Sequence, residues 1–290
     1  MEKIILPEEY NYVAVFLTLA CQLKCSYCIN IMNDYDRRKI HHGRPPMSAS
    51  DWVQALNRIE AREDLPITLQ GGEPTVHPDF YEIVRQAERP MDLLTNIQFD
   101  LERFIKLVPR DKFKRNAPYA SIRVSYHPEQ MEMEDTIIRA SRLLDHGYQV
   151  GVWSVLVPQW RSHIMDEAKP AFEKVGIDFR VKEMLDGGTA EGTQCGTYKY
   201  PDSVGAKILK TCECRTTELL VAPDGSVHRC HSDVYNLRKG IGHILDEDFK
   251  LDREFRICHV YGDCSGCDVK ITTNRFQQPN WTSVEILNVR

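Results

Sequence analysis

Between Tyr12 and Glu183 six short runs rich in β-branched and aromatic residues alternate with five segments of helical period. The expected strands are Tyr12 to Leu19, Ile67 to Gln70, Met91 to Thr95, Ala120 to Tyr126, Tyr148 to Val157 and Ile177 to Glu183. Between them, Ser48 to Arg62 opens with a capping box of Ser48 and Asp51, and Pro78 suits the first position of a second helix. Helices are expected over Phe99 to Val108, Glu132 to His146 and Ser162 to Val175, the last two stopped by Gly147 and Gly176. Strand–helix alternation with short loops predicts an α/β fold with a parallel sheet covered by helices. Period alone leaves both an open doubly wound sheet and a partial barrel standing. In either, chemistry gathers where strands end and loops begin. That rule places Cys21–Cys28, Gly71–Pro74, Thr95-Asn96, Tyr126-His127 and Pro158-Gln159 along one rim.

Composition narrows the setting. Lys and Arg number 37 against 42 Asp and Glu, a formal charge of −5, so nothing global draws the chain to nucleic acid or an anionic membrane. The longest nearly apolar run, Tyr12 to Cys21, is half of the roughly 20 residues a membrane span needs. Glu8 and Glu9 stand where a secretory signal would need an apolar core, and a cytoplasmic chain is expected. Ten cysteines in a long chain of a reducing compartment point to metal rather than disulfides. They fall into Cys21, Cys25 and Cys28 near the start and Cys212, Cys214, Cys230, Cys258, Cys264 and Cys267 near the end, with Cys195 apart.

Cys21, Cys25 and Cys28 supply three thiolates within eight residues, in a loop leaving the first strand. A four-iron cluster is saturated by four cysteines, so three leave one iron open, and an open metal position is where substrate chemistry happens. Gly71-Gly72-Glu73-Pro74 ends the next strand. Together these residues resemble the radical S-adenosylmethionine (radical SAM) enzymes, whose hallmark is C-x-x-x-C-x-Φ-C, with Tyr27 as the aromatic Φ, and whose second motif is GGEP. The resemblance implies a partial (βα)6 TIM-like barrel and a [4Fe–4S] cluster on Cys21, Cys25 and Cys28, its fourth iron chelated by the methionine end of S-adenosylmethionine. It implies one-electron cleavage of that sulfonium to a 5′-deoxyadenosyl radical that abstracts hydrogen from a substrate. Gly71, Gly72 and Pro74 would shape the cofactor turn, Glu73 would accept from the methionine ammonium, and Tyr27 would lie against adenine. Asn96, after Thr95, and Ser125 stand where members of the family contact ribose or carboxylate.

The second group resembles the auxiliary modules of the same family, called SPASM with two clusters and twitch with one. Cys214 and Cys230 flank a hairpin signal at Pro223-Asp224-Gly225, and Cys264-x-x-Cys267 completes four ligands for one auxiliary [4Fe–4S] cluster. Cys212 competes with Cys214; the latter is preferred as closer to a strand beginning near Thr217. Cys258 is open to three readings: spare ligand, proton donor or buried thiol. Four thiolates also suit a structural zinc.

The expected organisation is a barrel over 8–185, a glycine-rich linker over 186–205 and an auxiliary-cluster module over 206–290, which has too little apolar periodicity to fold on a core alone. With about eleven residues before the first strand, no separate domain for gripping a leader peptide is expected. The basic segment Asn30 to Pro46, with His41-His42, reads as a solvated loop or a lid. Tyr126 and His127 are candidate substrate contacts, Cys195 a bystander thiol or hydrogen donor, and His77 a shaper of the helix start. The layout resembles twitch enzymes that oxidise or epimerise small alcohols, sugars or cyclitols, with peptide-modifying and cofactor-maturation enzymes also open. An electron donor such as flavodoxin or ferredoxin is implied. The rival reading is a non-catalytic iron–sulfur or zinc protein serving electron transfer or sensing.

Overall fold

The computed structural model describes residues 2–30, 45–63, 65–184, 197–200, 202, 203, 206, 208–262, 264, 270, 271 and 282–290. The expectations for Cys195, Cys267, His41 and His42 fall outside them.

Six strands follow one another in chain order across one sheet: β1 (Tyr12–Thr18), β2 (Ile67–Gly71), β3 (Met91–Thr95), β4 (Ile122–Ser125), β5 (Val150–Val155) and β6 (Phe179–Lys182). Every neighbouring pair is parallel. The crossovers carry α1 (Ala49–Arg58), α2 (Phe80–Gln86), α3 (Leu101–Leu107), α4 (Met133–Asp145) and α5 (Lys169–Lys174). Alternation along β1 explains the layering. Val13, Val15 and Leu17 meet Trp52 and Leu56 of α1 in the main core. Ala14 and Phe16 face the opposite side with Leu220 and Val234. This is the (βα)6 order of the partial barrel.

Local chemistry sets the helix ends. Ser48 and Asp51 form the reciprocal capping box of α1. That helix stops at Arg58, four residues short of the expected end, because Ile59–Glu60 turns into a strand parallel to Ile4–Ile5. The buried Arg58 guanidinium donates to the carbonyls of Glu2, Ile244, Asp246 and Glu247, fastening α1 to a segment far along the chain. Pro78 lies in a turn before α2 rather than in its first position; Asp79 is the cap residue. The helix expected from Ser162 is a π-helical stretch, His163–Ala168, before it becomes α5. Pro170 has no N–H to close the preceding α-turn, which accounts for the wider winding.

The chain then builds β7 (Lys210–Thr216), β8 (Glu218–Val221), β9 (Ser226–His228), the short α6 (His231–Tyr235), β10 (Gly242–His243), β11 (Arg256–Tyr261) and β12 (Val284–Leu287). The expected hairpin forms between β8 and β9, around Gly225 at φ +80°. It does not stand apart from the barrel. β8 pairs parallel with β1, so the nine-stranded sheet runs β10-β9-β8-β1-β2-β3-β4-β5-β6 and stays open at β10 and β6. β7 is the middle strand of a separate antiparallel sheet, β11-β7-β12. Among the described residues, no helix is long and apolar enough to cross a membrane.

Candidate functional site

Cys21, Cys25 and Cys28 lie in the loop that leaves β1, and all three line one cavity of about 260 Å³ at the carboxyl ends of the parallel strands. The same cavity is bordered by Tyr27, Gly71, Gly72, Glu73, Asn96 and Ser125, so most of the rim expected from sequence does converge. Cys21 is exposed and Cys25 buried. Burial, then the neighbouring thiols Cys28 and Cys21, pushes Cys25 up to about 12. Cys21 is pushed up by burial, against hydrogen bonds from Leu23 N (3.4 Å) and Asn96 Nδ2 (3.6 Å) to its sulfur. Such thiols ionise readily only beside a cation or a metal.

The two glycines serve the chain's own packing. A Cβ on Gly71, at φ +133°, would lie 2.3 Å from the Thr18 carbonyl oxygen; on Gly72 it would lie 2.1 Å from that of Ala20. Gly72 N donates to Thr18 O (2.9 Å) and Glu73 N to Ala20 O (2.8 Å). The close approach expected toward a ligand is therefore, at these Cβ positions, an approach to the backbone carrying Cys21. Pro74 is buried and opens a 3-10 turn capped by Glu73.

Glu73 is 1% exposed. Its Oε1 accepts from Thr75 N (3.2 Å), Thr75 Oγ1 (2.6 Å) and Thr95 Oγ1 (2.8 Å), and its Oε2 from Asn96 N (2.7 Å). Burial pushes the carboxyl up while these four bonds hold it down. Oε1 thus accepts three bonds and Oε2 only one, so Oε2 is the oxygen less engaged and the one able to take a further donor. The carboxylate thus ties the end of β2 to the end of β3. Asn96 is itself fixed, its Oδ1 accepting from Gln22 Nε2 (3.0 Å) and Gln98 N (2.9 Å).

Tyr27 shares a hydrogen bond of 3.0 Å with His127 Nδ1, and burial pushes His127 down to about 4. His127 borders the cavity, but Tyr126 does not. The Tyr126 side chain faces the helices, where its hydroxyl meets His163 Nε2 at 2.9 Å and its ring packs on Phe172. Successive strand residues point to opposite faces, so Ser125 and His127 can line the cavity only if Tyr126 does not. His77 accepts from Asp79 N, as a helix-start residue should.

Some features escaped the sequence. Glu129 accepts from Ser26 N (2.8 Å), pinning the cysteine loop to the loop after β4. Ile97 sits at φ +60°, a left-handed conformation rare for a β-branched residue, and its carbonyl is held by Arg139 Nε at 2.9 Å. Gln70, Lys182 and Tyr235 also border the cavity. Strand-end position could have flagged Gln70 and Lys182, and nothing local could have flagged Tyr235.

The late cysteines gather in a second pocket. Cys212, Cys214, Cys230, Cys258 and Cys264 line it together, with Arg229 and Arg238. The strand expected to begin near Thr217 is β8, but a further strand, β7, precedes it; Cys212 and Cys214 both lie on β7, and both are buried on one face. Proximity to a strand therefore does not choose between them. Cys258 pairs with Cys212 across β7 and β11 and shares a hydrogen bond with Cys214 that pushes Cys214 up and Cys258 down. Among the described residues, no three His, Cys, Asp or Glu side chains are set to hold a single metal ion. A four-iron cluster, with ligands on separate irons, makes a different demand on spacing.

An ordered parallel (βα)6 sheet, with three thiols and a Gly-Gly-Glu-Pro turn on its carboxyl rim, is the arrangement that the resemblance to radical S-adenosylmethionine enzymes implies. Comparisons with known proteins agree, although no family model matches the chain. It is 23% identical over 300 residues to mycofactocin maturase MftC of Mycolicibacterium smegmatis, covering 87% of this chain and 74% of that protein. It is 32% identical over 85 residues to the PqqA peptide cyclase of Rhodopseudomonas palustris, covering 29% of this chain and only 21% of the cyclase. The fold matches that of anSMEcpe with bound AdoMet, at a TM-score of 0.54, 17% identity and coverage of 81% and 78% of the two chains. It also matches Streptococcus suis SuiB, at 0.53 and 15%, covering 84% and 64%.

Proposed function

We propose that this chain cleaves S-adenosylmethionine reductively and uses the resulting radical to take a hydrogen atom from a peptide substrate. One observation carries the reading: three thiols, a buried carboxylate with an acceptor position to spare and the strand-end residues Asn96 and Ser125 all border a single cavity. The donor set fits. Cys21, Cys25 and Cys28 would hold a [4Fe–4S] cluster, and Glu73 Oε2 would accept from the methionine ammonium. When bound, the cluster and nucleotide supply the electron and the 5′-deoxyadenosyl radical. The chain's own residues orient and exclude. Gly71, Gly72 and Pro74 fix the turn against the cysteine loop, Asn96 hydrogen-bonds Cys21, and Tyr27, braced by His127, closes one side against water.

The second pocket is the proposed seat of one auxiliary [4Fe–4S] cluster. Cys214, Cys230, Cys264 and Cys267 are the proposed ligands, with Cys212 and Cys258 beside them. Supporting it, Arg229 and Arg238 border the described thiols and would offset thiolate charge. Such a cluster would accept the electron left on an oxidised substrate and favour net oxidation over epimerisation. A peptide is favoured because a structure of the same fold, anSMEcpe, is described with AdoMet and the Kp18Cys peptide, and because a curated relative is named a peptide cyclase. A flavodoxin or ferredoxin in the cytoplasm is the proposed electron donor, and the exposed Cys21 edge its approach. Residues 8–185 and 206–290 are the proposed barrel and auxiliary units.

The test is anaerobic reconstitution with iron and sulfide, reduction by dithionite, and quantification of 5′-deoxyadenosine. Wild-type protein should form it and Cys25→Ala should not. Well-loaded wild-type protein that forms none would leave the electron-transfer or sensing reading in its place.

A further inference from the structure

Behind the cavity lies a strained turn that is held from the helix side. Residues 95–99 leave β3 and carry much of what fixes the rim. Thr95 Oγ1 donates to Glu73 Oε1 (2.8 Å) and Asn96 N to Glu73 Oε2 (2.7 Å). Asn96 Nδ2 reaches Cys21 Sγ at 3.6 Å, while Asn96 Oδ1 accepts from Gln98 N at 2.9 Å. Gln22 Nε2, beside Cys21 in sequence, donates to both Asn96 Oδ1 (3.0 Å) and Gln98 O (3.1 Å). One short stretch of backbone thus joins the buried carboxylate, the first thiol and the cysteine loop.

Ile97, at the centre of the turn, takes φ +60°. A β-branched residue leaves that region unless held there, because its Cβ crowds the following carbonyl. Two sets of contacts oppose the relaxation. The Ile97 side chain is buried in the main core. From α4, Arg139 donates through Nε to Ile97 O (2.9 Å) and through Nη2 to Phe99 O. One planar guanidinium therefore spans the carbonyls on either side of Gln98, which a single-point donor cannot do. Its ion pair with Asp135 is 4.0 Å long and Asp135 is half exposed, so that carboxylate competes weakly for the guanidinium. Arg139 itself does not border the cavity.

We propose that Arg139 is a positioning residue for the S-adenosylmethionine site: by holding the left-handed turn at Ile97, it keeps Asn96 on Glu73 and on Cys21. The inference rests on the radical-enzyme reading. Were Ile97 to relax, the peptide between Ile97 and Gln98 would rotate and draw Gln98 N away from Asn96 Oδ1. Asn96 would lose its aim at Cys21. Glu73 Oε2, the oxygen offered to the methionine ammonium, would lose the backbone donor that orients it. An arginine that only stabilised the fold would change unfolding and leave nucleotide affinity alone.

The experiment uses the reconstituted full chain, anaerobic, as wild type, Arg139→Met, Arg139→Lys and Arg142→Met. Arg142 is the control on the same helix: it pairs with Glu102 of α3 at 3.2 Å, and both side chains are exposed. Equilibrium binding of S-adenosylmethionine should weaken by about tenfold or more in Arg139→Met. It should weaken less in Arg139→Lys, whose ammonium can serve one carbonyl, and not in Arg142→Met. Iron content should be equal in all four. Without nucleotide, amide hydrogen exchange over residues 95–99 should quicken in both Arg139 variants and not in Arg142→Met. Wild-type affinity in folded, iron-loaded Arg139→Met overturns the proposal even if its urea midpoint falls, as does unchanged exchange across the turn. An affinity loss that merely follows lost iron overturns it as well. Should Arg139→Met fail to fold, Arg139→Lys carries the test, and wild-type affinity there has the same force. Wild-type binding and cleavage beside an unaffected variant sink this proposal alone. A well-loaded wild-type chain that neither binds nor cleaves S-adenosylmethionine sinks the radical-enzyme reading.

Discussion

Gly72→Ala is the sharpest test of the way the site is held. The new Cβ would lie 2.1 Å from the Ala20 carbonyl oxygen and 2.5 Å from that of Leu19, both backbone atoms with no side chain to swing away. Relief requires the cysteine loop to retreat from the end of β2, which strains or breaks the bonds Gly72 N to Thr18 O and Glu73 N to Ala20 O. Two hydrogen bonds at about 1 kcal/mol each, plus about 1–3 kcal/mol for overpacking, predict a loss of roughly 3–5 kcal/mol. Urea unfolding of the purified chain measures it as a fall in midpoint at constant slope. Gly176→Ala is the matched control: its φ is +81° but nothing lies within 4 Å, so only the backbone penalty of about 1 kcal/mol applies. Iron retention should fall in the first variant and not in the second, because Cys21 rides on the displaced loop. A Gly72→Ala protein as stable as Gly176→Ala, with full iron, would refute the clamp.

Glu73→Gln keeps the shape but turns one acceptor oxygen into a donor facing donors, so S-adenosylmethionine affinity should fall by about tenfold or more in equilibrium binding, with iron content unchanged. Iron counting should give about eight per chain in the wild type and about four in Cys230→Ala; an unchanged count would remove the auxiliary cluster. The same assay on Cys212→Ala, Cys214→Ala and Cys258→Ala should show which of the three thiols are ligands, since only a ligand lowers iron. His127 gives a pH prediction. Burial holds it near 4, below its ordinary 6.5, so the folded chain binds the proton less well than the unfolded one. Its contribution of about 3 kcal/mol is therefore complete above pH 6.5 and is lost as pH falls toward 4. His127→Gln should flatten that part of the stability profile, and an unaltered slope would show that His127 is not the group responsible.

Much of this could be read from the chain. Hydrophobic period gave all six strands, because each strand–helix unit buries its own faces locally, whereas their order in one sheet followed only from the resemblance. The cysteine loop and the glycine turn were legible for the same reason: each is a contiguous motif whose geometry is set by near neighbours. What escaped depends on distant partners. The pairing of β8 with β1 joins residues about two hundred positions apart, and the hairpin signal at Gly225 says nothing of it. Arg58 reads as an ordinary surface cation until its four carbonyl partners are known. Tyr126 was within reach, since strand alternation forbids it the face that Ser125 and His127 share. Cys212 and Cys214, two residues apart on one strand, share a face by the same alternation, so spacing could not separate them.

Helix α6 begins immediately after Cys230, in the wall of the cysteine-rich pocket, and ends at Tyr235, in the wall of the cavity beneath the rim. Five residues rise about 7.5 Å, so a partition one short helix long divides the two chambers. An electron leaving a molecule held in the barrel would have only that distance of covalent scaffold to cross. The same partition makes the chambers mechanical neighbours: a shift of α6 moves a wall of both at once.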